Sequence, residues 1–464
     1  MKKHVHFIGI GGTGISAIAR VLLERGYQVS GSDRSRSPYT NDLQAAGIVI
    51  SIGHDPANVA SADIVVRSSA IPDDNPEVVA AKQANIPVYK RSDFLHFLME
   101  KQTCVAIAGT HGKTTTTAMA AWVFGRAGLD PSYIIGSVSK NLESNAHAGS
   151  GSVFVIEADE YDRMFLGLAP EIIVLTNLEH DHPDCFPTLD DYKEAFQKFI
   201  ALLKPGGMII VSADDKAAYD LVLDSGNTGS ILTYGIHSPA DYQAVNLQVN
   251  SSGGYSFDIM VLKKGAQPVL FGKVNLQVPG KHNVMNALAV VAASQTLSLS
   301  ANTVFDALGS FTGTGRRFEV RGEVAGVVVI DDYAHHPTEI RSTLQAARSR
   351  FADQRIWAVW QPHTYSRTQV LIDEFATSFD MADFVLVTEV FASREKPQAF
   401  SSEQVVKKMV HPYVRFTSSL KSTAETLLDE LQPGDVVLVL SAGDADQISD
   451  MVLIGLRERD SHHD

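Results

Sequence analysis

A lysine and a threonine, Lys113 and Thr114, follow two closely spaced glycines in the run Gly109, Thr110, His111, Gly112, Lys113, Thr114, Thr115. That combination suits a polyphosphate. Glycines let backbone N–H groups approach phosphate oxygens, the lysine brings charge to the outer phosphates, and the threonine hydroxyl can ligate magnesium. The strict phosphate-loop pattern has a further glycine where Ile107 stands, so this is a shortened variant. An ordinary strand–helix turn is the bland alternative, and it leaves the clustering of these types unexplained.

A second glycine-rich turn precedes it. Gly9, Gly11 and Gly14 spell G-x-G-x-x-G, and Asp33 closes the next strand-like run. Alone this is the dinucleotide fingerprint and points to a nicotinamide enzyme. The same physics serves any diphosphate, because glycine permits close approach and a helix N-terminus favours negative charge. Two phosphate-binding turns fit a nucleotide-activated substrate plus ATP better than a redox pair.

Acidic groups crowd the ends of two apolar runs: Glu157, Asp159, Glu160 and Asp162, then Glu179, Asp181 and Asp184 with His180 and His182. Strand ends are where a parallel sheet presents ligand-binding groups, and hard oxygen donors suit Mg²⁺. His180 and His182 approximate zinc spacing without thiolates or a third nearby imidazole, so zinc fits poorly. Arg316 and Arg317 follow another glycine-rich turn and could reach phosphate across a gap. Asp331, Asp332, Tyr333, His335 and His336 end one later strand; Gln361, His363, Tyr365 and Arg367 follow the next. These polar groups can bind ribose, an acid or an amine, or simply cap loops.

The elements that must position them alternate between strand and helix. Residues 5–10, 28–31 and 64–67 read as strands and 15–23 as a helix, the rhythm of a parallel sheet with covering helices. Further strands are predicted at 153–156, 172–176 and 208–211, with an irregular strand-rich stretch at 240–279 and a hairpin at Gly253–Gly254. A helical pattern covers 283–293. Residues 311–317 form a boundary, followed by strands at 327–330, 356–360, 384–388 and 436–440. Residues 457–464 read as frayed surface.

A chain of 464 residues exceeds one core and implies roughly two to four domains. Lysine and arginine total 39 against 53 acidic residues, a formal charge of −14. That sign disfavours nucleic acid, although one cationic pocket can still hold a phosphorylated ligand. Cys104 and Cys185 cannot make a metal cluster by themselves and read as reduced thiols. The N-terminus reaches glycine too soon for a signal-peptide core, and no apolar run attains the ~18 residues of a membrane span. The expectation is a soluble cytoplasmic protein without membrane insertion.

At this point the chain resembles the Mur ligases. The stretches that carry the resemblance are HFIGIGGTGISAIA at 6–19, GTHGKTTTT at 109–117, EADEYD at 157–162 and TNLEHDHPD at 176–184. They continue with PGKHNVMNALAV at 279–290, FTGTGRRFE at 311–319, DDYAHHPTEI at 331–340, QPHTYSRT at 361–368 and SAGD at 441–444. The resemblance implies an α/β protein of three domains: a Rossmann-like UDP-sugar domain at 1–100, a central P-loop ATPase domain at 101–315, and a Rossmann-like domain at 316–464 closing over ATP and amino acid. By the same resemblance, Gly11, Gly12, Thr13, Gly14, Asp33 and Ser69 hold the UDP-sugar. Gly109, Thr110, His111, Gly112, Lys113, Thr114 and Thr115 hold the ATP phosphates. His282, Asn283 and Asn286 contact adenine, Asp332 the ribose, and Arg317 the phosphates across a domain gap. Lys113, His182 and Arg317 are the implied catalytic residues, and Thr114, Glu157 and His182 the implied metal residues. Tyr333, His336, His363 and Arg367 face the amino acid and sugar substrates.

The GIGGTGIS and QPHTYSRT stretches resemble the members that join L-alanine to UDP-N-acetylmuramate, the first amino-acid addition of peptidoglycan precursor synthesis. ATP, Mg²⁺, UDP-N-acetylmuramate and L-alanine are therefore the expected ligands of a monomer or homodimer. Replacing Lys113 with alanine is expected to cripple turnover with little effect on the fold. The chain departs from that pattern at Glu160–Tyr161–Asp162, where many alanine-adding members read E-S-D. The recycling ligase that attaches a whole tripeptide reads E-Y-D and is the alternative. Thr364 replaces a second arginine, and the place of a carbamylated lysine in sister ligases falls near Phe196 or Gln197, so none is expected.

Overall fold

Branched apolar runs build the sheet interiors. Thr103–Ala108, Val153–Glu157, Ile172–Leu175 and Met208–Ser212 read as almost uninterrupted hydrophobic strands and are buried along nearly their whole length. That pattern belongs to parallel strands covered on both faces, because crossover helices leave neither face to water. The computed structural model describes residues 3–227, 229–262 and 267–461.

Three sheets follow one another along the chain. The first has five parallel strands in the order Val49–Ile52, Gln28–Asp33, His4–Ile8, Ile64–Arg67, Val88–Lys90. The second has ten: a parallel centre containing the four strands above, with Ser132–Ser139 toward one edge and Ser230–Gly235 toward the other. Beyond Ser230–Gly235 it continues into Tyr242–Val249, Tyr255–Val261 and Val269–Asn275, which pair antiparallel. The third has six strands, all parallel except the edge pair Glu319–Val324 and Val327–Asp332.

The Lys113–Arg126 helix is covered on nearly every side, and it packs with Lys281–Thr296 over the central sheet in one apolar cluster. The first sheet is not separate from the second. Buried residues of His4–Ile8 and Thr13–Glu24 share a core with Thr103–Ala108 and Leu189–Ile200, and Glu24 accepts from the His147 ring and the Ala148 N–H.

Several sequence expectations need adjusting. The first strand stops at Ile8, since Gly9 turns the chain at φ +78. Val49–Ile52, Val88–Lys90, Glu319–Val324 and Val414–Phe416 are additional edge strands, short or half-exposed. Arg457–Ser461 continue the Asp446–Ser461 helix and are not frayed; residues 462–464 lie outside the described residues, as do Met1, Lys2 and residues 263–266 of the irregular stretch. The hairpin turn at Gly253–Gly254 connects antiparallel strands as expected. No helix among the described residues is long and apolar enough to cross a membrane.

Candidate active site

The phosphate loop leaves the Thr103–Ala108 strand at Gly109 and enters the Lys113–Arg126 helix after Gly112. Both glycines take positive φ, +131 and +81, which side chains rarely adopt. Neighbouring side chains and backbone hold the loop open. The Thr110 N–H donates to Asn177 O at 3.1 Å, the His111 N–H to Asn177 Oδ1 at 2.8 Å, and Thr176 Oγ1 to His111 O at 2.7 Å.

Lys113 Nζ donates to Gly109 O at 2.6 Å, to Thr110 O at 2.9 Å, and to the buried Glu160 carboxylate at 2.9 Å. Burial by itself would lower the Lys113 pKa; Glu160 and Glu157 outweigh it and hold the ammonium above its ordinary value. The Thr114 hydroxyl donates to Glu157 Oε1 at 3.0 Å, and the Gly136 N–H to Glu157 Oε2 at 2.7 Å. Burial raises the Glu157 pKa against the pull of Lys113. A half-buried carboxylate beside a threonine hydroxyl at the mouth of a phosphate loop is an all-oxygen donor set that suits a hard divalent cation. His182 does not join that pair directly. Its Nε2 faces Glu160 at 3.8 Å and Asp181 at 3.7 Å, although all four side chains of Lys113, Thr114, Glu157 and His182 line one cavity.

The third sheet sends its polar strand ends into this region. Arg367 is buried and binds Asp181 through Nε at 2.8 Å, with NH1 on His363 Nδ1 at 3.1 Å. Burial alone would raise the Asp181 pKa, but Arg367 holds it well below the ordinary carboxylate range. Burial keeps His363 neutral, down to about 2, and His335 and His336 down to about 4. Arg367 is thus a bridge to the central module as well as a cavity-lining group. A second bridge puts Arg394 on Asp184 at 3.0 Å and over the Tyr161 ring at 4.0 Å, while Tyr161 also donates to Asp184 at 3.1 Å.

A third bridge involves residues that the motif reading did not connect. His111 Nε2 lies 3.0 Å from Glu179 and its Nδ1 3.4 Å from Glu339. Burial would lower its pKa, yet these two carboxylates push it up to about 9. The His336 ring lies 4.7 Å from His111, and its Nδ1 accepts from the Thr338 N–H to cap the Pro337–Arg350 helix. Donor atoms of His111, Glu179 and His336 fall within 4.8 Å of one another, a spacing a metal ion could use. An imidazolium between two carboxylates is instead a satisfied hydrogen-bonded clamp, and a metal would have to displace its proton. The sequence-suggested His180 only bonds Phe186 O at 2.8 Å.

The residues that the resemblance assigns to the nucleotide meet in an adjoining cavity lined by Thr115, His282, Asn283, Asn286, Arg317 and Asp332. Asn283 Nδ2 donates to Pro279 O and Asn286 Nδ2 to Asn283 Oδ1, which fixes both amides. Burial pushes His282 down to about 4. Asp332 accepts from the Phe318 and Ala334 N–H groups, and burial raises its pKa to about 6. Arg316 NH2 donates to Ser441 O and Gly443 O, Arg317 faces Glu339 at 3.4 Å, and both guanidiniums lie 5.2 Å from the centre of the Tyr333 ring. Arg350, Gln277 and Asp214 also line this cavity and had no motif to announce them.

At the first glycine loop, Asp33 Oδ2 accepts the Gly11 N–H at 2.8 Å, so the fingerprint acid braces the loop. Gly12 and Ser69 are exposed. Thr13 and Gly14 open into the same cavity as Lys113 and Tyr333. Arg91 lines it too, unannounced by any motif.

The order and content of these modules have a known counterpart. Residues 4–103 match the family model described as the Mur ligase family catalytic domain, 107–294 the Mur ligase middle domain, and 316–443 the Mur ligase glutamate ligase domain. The chain belongs to the Mur ligase family. It is 44% identical over 451 residues to the UDP-N-acetylmuramate–L-alanine ligase of Salinibacter ruber, covering 95% of this chain and 92% of that protein. The crystal structure of the UDP-N-acetylmuramate–alanine ligase of Thermotoga maritima superposes with a TM-score of 0.81 at 30% identity, over 99% of this chain and 100% of the other. A murein peptide ligase of Psychrobacter arcticus follows at 0.71 and 28%, over 98% of each. The three-domain α/β architecture of the Mur ligases is therefore the architecture of this chain.

Proposed function

We propose that this Mur ligase joins L-alanine to UDP-N-acetylmuramate with hydrolysis of ATP to ADP and phosphate, the first amino-acid addition of peptidoglycan precursor synthesis. The observation that carries the reading is where the two cavities meet. Gly112, Thr114, Arg317 and Glu339 line both, so a nucleotide in one and a sugar nucleotide in the other would present their reacting ends to the same phosphate loop. The high identity to alanine ligases supports the choice of amino acid.

In this reading domains change near residues 100 and 315, with the first holding UDP-sugar, the second ATP, and the third amino acid and ATP. The lactyl carboxylate of the sugar attacks the γ-phosphorus of ATP; a new P–O bond forms as the bond to the β-phosphate oxygen breaks, releasing ADP. The neutral amine of L-alanine then attacks the acyl carbon, loses a proton, and phosphate departs. Activation is required because a carboxylate is a poor electrophile. Lys113 and Arg317 offset charge on the transferring phosphoryl group. Thr114 and Glu157 would hold Mg²⁺, with His182 near a second ion; the metal supplies neutralisation of phosphate charge. His282, Asn283, Asn286 and Asp332 hold adenine and ribose, and Tyr333, His363 and Arg367 surround the amino acid together with His335, while His336, expected there, lines neither cavity and caps its helix beside His111 instead. We assign the reaction to the cytoplasm, where ATP and the sugar nucleotide are available.

The Glu160–Tyr161–Asp162 departure does not require a tripeptide substrate. Tyr161 is occupied beneath Arg394 and against Asp184, an interdomain role that accounts for an aromatic residue there. ADP release measured with UDP-N-acetylmuramate and a panel of L-alanine, glycine, L-serine and the tripeptide tests the assignment. Fastest release with L-alanine is expected, and use of the tripeptide alone would overturn it.

A further inference from the structure

Arg91 opens the Arg91–Met99 helix, and its guanidinium runs back to the glycine loop. A Cβ on Gly14 would lie 1.9 Å from Arg91 NH1 and 3.0 Å from Cζ. The third glycine of the fingerprint therefore leaves space that a guanidinium fills. Gly14 needs no positive φ, so what a side chain there would disturb is the seat of the guanidinium and not the backbone.

The guanidinium is under-partnered for its burial. Its side chain is 16% exposed, and among the described residues the one carboxylate within ion-pairing distance is Asp159, at 3.6 Å from NH2. Nε is buried without a hydrogen-bond partner. Five donors in a largely dehydrated site are costly unless an acceptor meets them. Arg91 also stands beside the first turn of Thr13–Glu24, whose free N–H groups favour negative charge, and both border the cavity shared with Thr13 and Gly14. Two convergent cationic features call for an anion with several acceptor oxygens.

We propose that Arg91 binds the diphosphate of the sugar nucleotide, and that residue 14 is glycine in order to admit it. This rests on reading the glycine loop as the UDP-sugar cradle. The lactyl carboxylate is the other anion of that substrate, but its destination is the Lys113 end of the cavity, whereas Arg91 abuts the glycine loop itself. The arrangement differs from a backbone-only diphosphate site in adding a forked charge that matches phosphate geometry.

Calorimetric titration of the full chain with UDP and with uridine tests both levels separately. UDP binding tighter than uridine by the unmodified protein supports the cradle; absence of UDP binding overturns the cradle reading and this proposal with it. Where UDP binds, Arg91→Gln should weaken it about tenfold or more, the scale of a charged hydrogen bond, with uridine affinity unchanged. KM for the sugar nucleotide should rise while KM for ATP holds, and Arg91→Lys should recover part of the loss. Gly14→Ala should reproduce the UDP defect by displacing the guanidinium, and its combination with Arg91→Gln should bind no more weakly than the poorer single variant. Asp159→Asn removes the ion pair and keeps the guanidinium, so UDP affinity should survive. Unchanged UDP binding in Arg91→Gln, or an equal loss in Asp159→Asn, would show a strut between domains and overturn the proposal.

Discussion

Lys113 carries two obligations that a motif alone cannot separate. It faces the phosphate loop, and it also neutralises Glu160, which is fully buried and receives one further bond from Tyr192 OH at 3.1 Å. Removing one partner of a buried pair leaves an uncompensated charge and typically costs about 3–5 kcal/mol. Lys113→Ala should therefore lower ADP release about a hundredfold or more and also lower the melting temperature, contrary to a purely catalytic role. Adding Glu160→Gln should restore the melting temperature without restoring turnover, as calorimetry and an ADP assay would show together. Glu157 makes a different prediction. Its carboxylate is held by Thr114 and Gly136, so Glu157→Gln keeps the shape but loses the charge. The magnesium concentration for half-maximal ADP release should rise about tenfold or more; an unchanged magnesium requirement would remove Glu157 from the metal site.

Elements owe their places to a few backbone requirements. Gly109 is constrained twice, by φ +131 and by Thr176 Oγ1, 2.0 Å from where a Cβ would stand. Gly128 shares a positive φ, +83, but has open space around it. Gly109→Ala should thus displace the loop and weaken ATP binding about tenfold or more, whereas Gly128→Ala should cost only about 1 kcal/mol of stability and leave nucleotide affinity alone. Fluorescent-nucleotide titration and chemical denaturation of the two variants distinguish these outcomes. The central strands were legible in sequence because residues buried on both faces must be apolar throughout. Edge strands such as Val88–Lys90 and Val414–Phe416 were not, since three residues are too few to show a period.

The third sheet is tied to the second by charged contacts, whereas the first shares an apolar core with the second. Arg367 with Asp181 is buried, Arg394 with Asp184 is partly exposed and weak by comparison, and His111 lies between Glu179 and Glu339. His111 has a pKa raised from an ordinary 6.5 to about 9. Its contribution to folding stability is fully present below 6.5 and is lost as pH rises through about 9, because the unfolded chain gives up the proton first. Asp181 has a lowered pKa, so its contribution is present above the ordinary carboxylate value and is lost only in strong acid. The melting temperature should fall as pH rises from 6.5 through about 9, and His111→Asn should flatten that dependence. A pH profile identical in the two proteins would count against the clamp.

What the sequence by itself determined is local: two glycine-rich turns, a lysine and threonine at a helix start, and acids at strand ends. Those features lie within a few residues of one another, where backbone geometry leaves few arrangements. The family followed from their order along the chain. Tertiary structure decided which distant groups meet: Arg91 with Gly14, His111 with Glu339, and Arg367 with Asp181. Such pairs depend on how three sheets pack, and no spacing in the chain encodes that. It also decided that Asp33 braces its loop and that Arg316 reaches Ser441 while Arg317 reaches Glu339. Both sit against the Tyr333 ring, so only the folded chain assigns each its further partner.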